Sequence, residues 1–317
     1  MLEKLAEIKR RIAPELHRAA FHAGAATCWA RLQPVMRIIM LHGVGDDAYP
    51  VGQFRRQVEY LRRRFRIVHL DTLVELASDP RYRPRGELVL TFDDGHRNNA
   101  TRAYPILREL DVPATFFVCP GNIESQEWIW TLDVLIRLRR MDPGLRAELA
   151  RGWHLPSSEV EPVHSWFKGL PTDARDRALA ELRQASDYVP TARDRDYYDV
   201  MTWDQLLSLD PRLITIGSHT LTHPMLAHCT AEERETELAQ SQRWLERRVG
   251  RPVRHLCYPS SSIDDDVVRR ARAFYDSAVV VEGGLVRPGR VDLHRLPRIP
   301  TAETLQYLAW RLHNPTA

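Results

Sequence analysis

The sequence predicts an α/β protein whose strands form a parallel sheet, either open or closed into a barrel. Short apolar stretches alternate along the chain with amphipathic helical patterns, an order typical of parallel sheets covered by helices. Two of the apolar stretches stop at charged or polar residues, which favours a site at the carboxyl ends of the strands. With 317 residues, 44% of them hydrophobic, the chain can bury the core of one barrel-sized domain or of two smaller ones.

The predicted strands are short runs rich in Val, Ile, Leu and Phe. In chain order they cover residues 36–43, 65–70, 87–92, 114–118, 213–218, 253–258, 276–281 and 293–299. Helical spacing of apolar residues predicts helices between them, the clearest at 53–64, 99–110, 231–250 and 264–275. A helix between two successive strands is the crossover that a parallel sheet requires.

Residues 121–204 separate two strands by far more than one crossover helix needs. We expect a mostly helical insertion there, with its clearest helix at 171–188. The segment also contains five tryptophans, Trp128, Trp130, Trp153, Trp166 and Trp203. These aromatic residues either shape a substrate pocket at the functional end of the barrel or form a satellite core, and the sequence leaves both open.

Composition excludes several classes of protein. The 45 basic and 42 acidic residues are interspersed and give a net charge of +3, which offers no case for nucleic acid binding. The four cysteines are far apart without a CxxC pair, so neither a disulfide framework nor a zinc-thiolate site is indicated. No segment reaches the roughly 18 apolar residues of a membrane span, and the N-terminus is charged where a signal peptide would be apolar. We therefore expect a cytoplasmic protein.

The first residues form an amphipathic pattern. Leu2, Leu5, Ile8 and Ile12 recur at near-helical spacing with basic residues between them. Such a helix could contact an anionic membrane surface. Packing on the body of the fold is the favoured interpretation, because amphipathic helices usually dock on a core.

The stretch "LVLTFDDGHRNN" at residues 88–99 places two acids at the end of a core strand. Adjacent carboxylates such as Asp93 and Asp94 repel each other and resist desolvation. A helix N-cap followed by a turn would account for them without chemistry. A nearby cation would account for them too, with one carboxylate as a ligand and the other as a base. We assign no role to His96, which follows the glycine of this stretch.

A second apolar strand ends in "SHTLTHP", where His219 and His223 are four residues apart. This spacing predicts that both imidazoles lie on one side of a helical turn and can share a metal, although one such pair alone is weak evidence. Because strand ends meet on one face of a parallel barrel, the histidines and the acids should converge. Two imidazoles and one carboxylate make an open, three-ligand site suited to a divalent metal and water.

Together, "TFDDG" and "SHTLTHP" resemble the first two motifs of the polysaccharide deacetylase family, also called the NodB homology domain or carbohydrate esterase family 4. "IIMLHGVGDD", "AYPILRELDVPATFFVCPGNI" and "CYPSSSIDDDVV" are similar to the branch found in bacterial surface-polysaccharide gene clusters. The resemblance implies a distorted (β/α) barrel of about seven strands at 36–300. An N-terminal extension at 1–35 and a C-terminal helix or tail at 301–317 would flank it.

The resemblance also implies roles for individual residues. Asp94, His219 and His223 would be the metal ligands and Asp93 the general base. The implied reaction is hydrolysis of an N-acetyl group by metal-bound water, with the oxyanion stabilised by the metal and a backbone N–H. Zinc suits these ligands, but cobalt, nickel or manganese would also bind them.

The third motif of this family, RxPYG or YPNG, is altered here to "CYPSSS". Cys257 stands in the place of the arginine, and Ser261 in the place of a glycine that could adopt positive φ cheaply. Ser260 N–H is therefore only a candidate oxyanion donor. The base also lacks its usual arginine, for which Arg298 or Arg295 is the candidate replacement.

Two histidines complete the candidate set. His294, near the family's late LxH motif, is the candidate general acid, with a plain strand histidine as the alternative. His42 follows the first predicted strand, and its place at a strand end favours a supporting role at the site.

These observations predict a metal-dependent N-deacetylase acting on an acylated amino sugar. Its expected substrate is a cytoplasmic saccharide, nucleotide-linked or lipid-linked at the inner face of the membrane. Two alternatives stay open. The same site could release a formyl group or open a cyclic amide, or the altered third motif could leave a catalytically silent carbohydrate-binding homologue.

Overall fold

The computed structural model describes residues 15–47 and 49–315 and confirms the predicted α/β fold. One parallel sheet of eight strands forms the centre of the molecule. The strands are β1 (Arg37–Leu41), β2 (Arg66–Ile67), β3 (Glu87–Phe92), β4 (Ala114–Val118), β5 (Ile214–Ser218), β6 (His255–Cys257), β7 (Ser277–Val279) and β8 (Ile299–Pro300). Each overlaps one of the strands predicted from the sequence.

Helices surround this sheet. In chain order they are α1 (Ala25–Leu32), α2 (Val51–Arg64), α3 (Leu70–Ser78), α4 (Tyr104–Glu109), α5 (Pro120–Ser125), α6 (Trp130–Arg140), α7 (Pro143–Gly152), α8 (Val160–Gly169), α9 (Thr172–Ala185), α10 (Ala192–Tyr198), α11 (Trp203–Leu207), α12 (Ala231–Val249), α13 (Asp265–Ala271) and α14 (Leu305–Arg311). A π-helical turn, Asn99–Ala103, precedes α4, and two short 3₁₀ turns lie at Leu226–His228 and Pro259–Ser261.

The strand order is β7-β6-β5-β4-β3-β1-β8, with β2 also beside β3. The chain segment before and within β8 connects the two edges of this sheet. At one end Leu296 forms a parallel bridge with Val279 of β7, and at the other Ile299 pairs with Ile39 of β1. The sheet therefore curves into a distorted barrel, and every carboxyl strand end faces the same side.

Strands β1, β3 and β4 are buried along their whole length. Continuous apolar runs such as these are typical of parallel strands covered on both faces. At Gly217 in β5, an added Cβ would lie 2.5 Å from the ring of Phe117, so close packing of β4 and β5 requires glycine there. This tight packing holds the ends of β3, β4 and β5 in fixed relative positions.

The long segment between β4 and β5 contains helices α5 to α11 and has an apolar core of its own. Trp130, Val134, Leu138, Val163, Phe167 and Leu182 belong to that core, together with Met225 from the loop after β5. Trp153 and Trp166 stack with ring centroids 5.1 Å apart. The satellite core therefore packs against the loop that contains the two histidines.

Helix α1 packs beside α14 at the chain ends. Trp29 of α1 contacts Trp310 of α14 edge to face, with ring centroids 6.3 Å apart. His17, which precedes α1, stacks on Tyr307 of α14 with ring centroids 5.0 Å apart. The predicted amphipathic pattern at residues 2–12 lies outside the described residues. Within the described part of the chain, no helix has the length and apolar character to cross a membrane.

Candidate active site

Asp93 and Asp94 lie where β3 ends and the chain turns over the carboxyl ends of the strands. The Asp93 N–H donates to Leu41 O at 2.9 Å, and Asp94 then adopts φ 70°. Gly95 follows at φ 66°, and an added Cβ there would lie 3.0 Å from Cγ1 of Val118. Two left-handed residues in succession reverse the chain, so the two carboxylates point in different directions.

The Asp94 carboxylate lies against both histidines of the second motif. Its Oδ1 is 3.3 Å from His219 Nε2 and 3.5 Å from His223 Nε2. All three side chains are buried, and one ligand atom from each falls within 4.8 Å of the others. Burial alone would raise the pKa of Asp94, but hydrogen bonds from His219 and His96 hold that pKa well below 3.8. The carboxylate is therefore ionised at neutral pH.

The imidazoles are arranged as metal ligands should be. His219 Nδ1 lies 2.7 Å from the carbonyl oxygen of Cys257 and donates its proton there, which leaves Nε2 facing Asp94. Burial, followed by the charge of His219, lowers the pKa of His223 to about 3, which keeps that ring neutral. Two nitrogens and one carboxylate oxygen, buried together, fit a divalent cation.

The loop that carries both histidines is not the helical turn expected from their spacing. Residues 219–225 have no helical structure, and Thr220 and His223 adopt φ 67° and 62°. The Thr220 hydroxyl accepts from His223 N at 3.1 Å. The buried carboxylate of Glu237 accepts from Leu221 N and Thr222 N at 2.8 and 2.9 Å. Side chains that bond the loop backbone thus replace the helix in bringing the imidazoles together.

Asp93 faces a different partner. Arg298 donates to its two oxygens at 2.7 and 2.8 Å, a bidentate pair buried on both sides. Burial would raise the pKa of Asp93, but the Arg298 charge and hydrogen bonds outweigh burial and lower it from 3.8. Of the two candidate arginines, Arg298 is the one beside Asp93, because Arg295 is exposed and pairs with Asp265.

Cys257 occupies the space beside this pair. Its Sγ lies 3.2 Å from Arg298 Nη2, and its side chain is fully buried. Arg298 also donates to Thr91 Oγ1 and to Val280 O, both at 3.1 Å. Arg298 thus reaches Asp93 beside Cys257, and its substitution for the arginine of the third motif stays a prediction.

The structure does not bring His294 to these acids. Its Nε2 lies 2.7 Å from the carbonyl oxygen of Tyr275, and its Nδ1 lies 3.3 Å from Arg272. Tyr275 precedes β7, so His294 is at the amino-terminal end of that strand, whereas the acids follow the carboxyl end of β3. His294 therefore lies away from the acids, in a turn before β8, and neither the expected general acid nor a strand histidine describes its position.

The altered third motif keeps the backbone shape that a glycine would favour. Ser260 and Ser261 adopt φ 50° and 51° without any glycine. Hydroxyl contacts hold the loop, since Ser261 Oγ accepts from Val281 N at 2.5 Å and Ser262 Oγ accepts from Ala227 N at 3.1 Å. Ser260 itself is exposed at the site side of β6, where its role as oxyanion donor stays a prediction.

Two further histidines lie near the acids. His42 is exposed just after β1, and its charge contributes to lowering the pKa values of Asp93 and Asp94. A supporting role for His42 at the site stays a prediction. His96, to which the sequence assigned no role, is buried with Nε2 3.4 Å from Asp94 Oδ2. The available sequence signal for a role of His96 was its position directly after the acidic motif.

Residues 81–275 match the family model described as polysaccharide deacetylase. No curated protein matches the chain by sequence.

Solved structures share the fold at low sequence identity. A Streptococcus pyogenes deacetylase, PplD, solved with acetate, is 17% identical with a TM-score of 0.59 and covers 87% of this chain and 97% of its own. IcaB from Ammonifex degensii is 15% identical with a TM-score of 0.57, covering 88% and 98%. The BpsB deacetylase domain from Bordetella bronchiseptica is 16% identical with a TM-score of 0.56, covering 85% and 96%. The chain therefore has the fold of these deacetylases along most of its length.

Proposed function

Because the chain belongs to the polysaccharide deacetylase family, we propose that it hydrolyses the N-acetyl group of an amino sugar within a saccharide or glycoconjugate. The observation that carries this proposal is the convergence of Asp94, His219 and His223 beside the separately held Asp93. A ligand set and a base, side by side at the carboxyl ends of the strands, are the parts that metal-assisted amide hydrolysis needs.

Asp94, His219 and His223 would hold one divalent metal, and their donor atoms suit zinc. When bound, such a metal supplies Lewis-acid polarisation of the acyl carbonyl and lowers the pKa of water. The hydrogen bond from His219 Nδ1 to Cys257 O fixes the ring that would bind it. This contact is the kind of outer support that metal-binding histidines require.

Asp93 takes the proton from the attacking water in this proposal. Its two hydrogen bonds with Arg298 keep the carboxylate ionised and fix its orientation. Since His294 lies elsewhere, we assign the return of that proton to the leaving amine to Asp93 as well. The C–N bond breaks, and the products are acetate and the free amino sugar. Ser260 N–H is the proposed donor to the oxyanion.

Product analysis tests this function directly. We would incubate the purified protein and zinc with N-acetylated hexosamine oligosaccharides that are free, nucleotide-linked or lipid-linked, with Asp94→Asn as control. We expect acetate from the wild type alone, and the preferred member of the panel then identifies the linkage. Formate from N-formylated analogues would instead indicate a deformylase. Zinc binding without any product would favour the catalytically silent homologue.

We also propose that helix α1 contacts the anionic surface of a membrane, where a lipid-linked substrate would lie. Residues 16–45 contain no Asp or Glu, and Trp29 and Leu32 on α1 are 48% and 75% exposed. An exposed tryptophan and leucine beside Arg31 are typical of interfacial helices. Sedimentation with anionic vesicles should fall for Trp29→Ser/Leu32→Ser. Equal sedimentation of wild type and variant, or equal binding to neutral vesicles, would contradict the proposal.

A further inference from the structure

His96 contacts the one oxygen of Asp94 that faces away from the other histidines. Its Nε2 lies 3.4 Å from Asp94 Oδ2, whereas Oδ1 faces His219 and His223. The His96 side chain is 4% exposed, so water cannot readily take its place. The two oxygens of one carboxylate thus have separate partners, with a single imidazole on one side and a pair on the other.

The backbone around His96 is held by the segment that returns from the insertion. His96 forms an antiparallel bridge with Val200. On either side of it, Met201 N donates to Gly95 O at 2.9 Å and Arg97 N donates to Asp199 O at 2.7 Å. This short pairing fixes the position from which the imidazole reaches Asp94.

The other ring nitrogen of His96 indicates that the residue is not there for packing. The Nδ1 atom of His96 is buried, and it has no hydrogen-bond partner among the residues that the structure describes. A buried polar atom without a partner destabilises the folded state, and an apolar side chain of similar size would avoid that penalty. Buried polar atoms without partners are expected at functional sites, where a residue is present for its role and not for stability.

From this geometry we infer that His96 is a positioning residue, which holds Asp94 Oδ2 so that only Oδ1 faces the imidazole pair. The inference rests on the proposed metal site. His96 is not among the residues whose ligand atoms converge within 4.8 Å, so it acts through Asp94 and not as a ligand itself. Partners that orient a ligand in this way typically change metal affinity by roughly 10- to 100-fold.

Three substitutions separate this role from general packing. His96→Gln keeps an N–H donor near the position of Nε2. His96→Asn also keeps an amide, but its nitrogen lies nearer the position of Nδ1. His96→Leu removes the donor altogether. Zinc affinity would be measured by competition with a chromogenic chelator. The visible spectrum of the cobalt-loaded protein would report the ligand geometry independently of activity.

We expect His96→Leu and His96→Asn to weaken zinc binding by roughly 10- to 100-fold and to alter the cobalt spectrum. His96→Gln should bind close to the wild type. If His96→Leu does not fold, the Gln and Asn variants still make the comparison. Equal affinity of His96→Gln and His96→Asn would overturn this inference alone. A wild type that binds no zinc would instead overturn the proposed function, and this inference with it.

Discussion

Asp93 and Asp94 are neighbours in the chain, are both buried and both have a lowered pKa, yet their surroundings differ completely. Asp93 is held by a fixed guanidinium that donates to both oxygens. Asp94 lies among imidazoles that contact its oxygens at 3.3 to 3.5 Å. The turn at Asp94 separates the two carboxylates, so two adjacent residues can take the different roles proposed for them, Asp93 as the base and Asp94 as a metal ligand.

The two environments also come from different parts of the barrel. Arg298 is 205 residues from Asp93 along the chain and arrives with the segment that joins β7 to β1. His219 and His223 follow β5. Closure of the barrel therefore brings Arg298 to the proposed base, whereas the loop after β5, in the centre of the sheet, brings both histidines to the proposed ligand Asp94. Substitutions on the two sides should have different consequences, and the following predictions test that difference.

The largest effect is expected on the ligand side. Asp94→Asn should abolish both metal binding and activity, because an amide oxygen cannot replace an ionised carboxylate beside the two imidazoles. Metal at 1,000 times its Kd stabilises the wild type by about 4 kcal/mol. Thermal unfolding with and without a chelator measures this difference. A variant that still shows the wild-type shift would contradict the assignment of Asp94 as a ligand.

On the base side, the largest effect on stability should come from Arg298→Met. Removing one partner leaves the Asp93 charge buried and uncompensated, which costs about 3–5 kcal/mol. The double variant Asp93→Asn/Arg298→Met should lose less than the sum of the single losses, because no buried charge is left. Urea unfolding of the chelated proteins gives the four free energies. Additive losses would show that the two residues do not form an energetic pair.

A smaller effect is expected from pH. The folded pKa of Asp93 lies below its ordinary value of 3.8, so the folded state binds fewer protons there than the unfolded state. The Asp93 contribution to stability is fully present above the unfolded pKa and is lost as pH falls through the folded pKa. Below about pH 4 the chelated wild type should lose stability more steeply than Asp93→Asn. Parallel pH profiles from urea unfolding would contradict the lowered pKa.

The smallest effect concerns the altered third motif. A left-handed residue with a Cβ costs about 1–2 kcal/mol, and glycine avoids most of that cost. Ser260→Gly should therefore raise the free energy of unfolding by up to about 1 kcal/mol. Ser261→Gly should gain less, because it loses the hydroxyl that accepts from Val281 N. An equal gain from both, measured by urea unfolding, would mean that this hydrogen bond contributes nothing.

The sequence predicted the features that depend on local pattern. Buried parallel strands such as β3 and β4 appear as continuous apolar runs, and their predicted limits agree with the structure. The convergence of Asp94 with His219 and His223 follows from the rule that parallel strand ends share one face. Both inferences need only the order of residues and the geometry of a parallel sheet.

The features that the sequence missed depend on contacts between distant residues. The spacing of His219 and His223 suggests a helical turn, but Glu237 and Thr220 bond the loop backbone and hold another conformation. His294 resembles a late motif in sequence, yet the register of Leu296 on β7 places it at the far end of the strand. His96 carries no motif of its own, and only its burial against Asp94 distinguishes it.

We propose that Asp94 binds metal whereas Asp93 only moves protons. Metal content and acetate release of Asp93→Asn, compared with the wild type on the best substrate of the panel, test this division most directly. We expect one metal per chain in both proteins and a fall in rate of roughly 10²- to 10⁴-fold in the variant. Wild-type activity in Asp93→Asn, or loss of metal together with activity, would contradict the division of roles between the two aspartates.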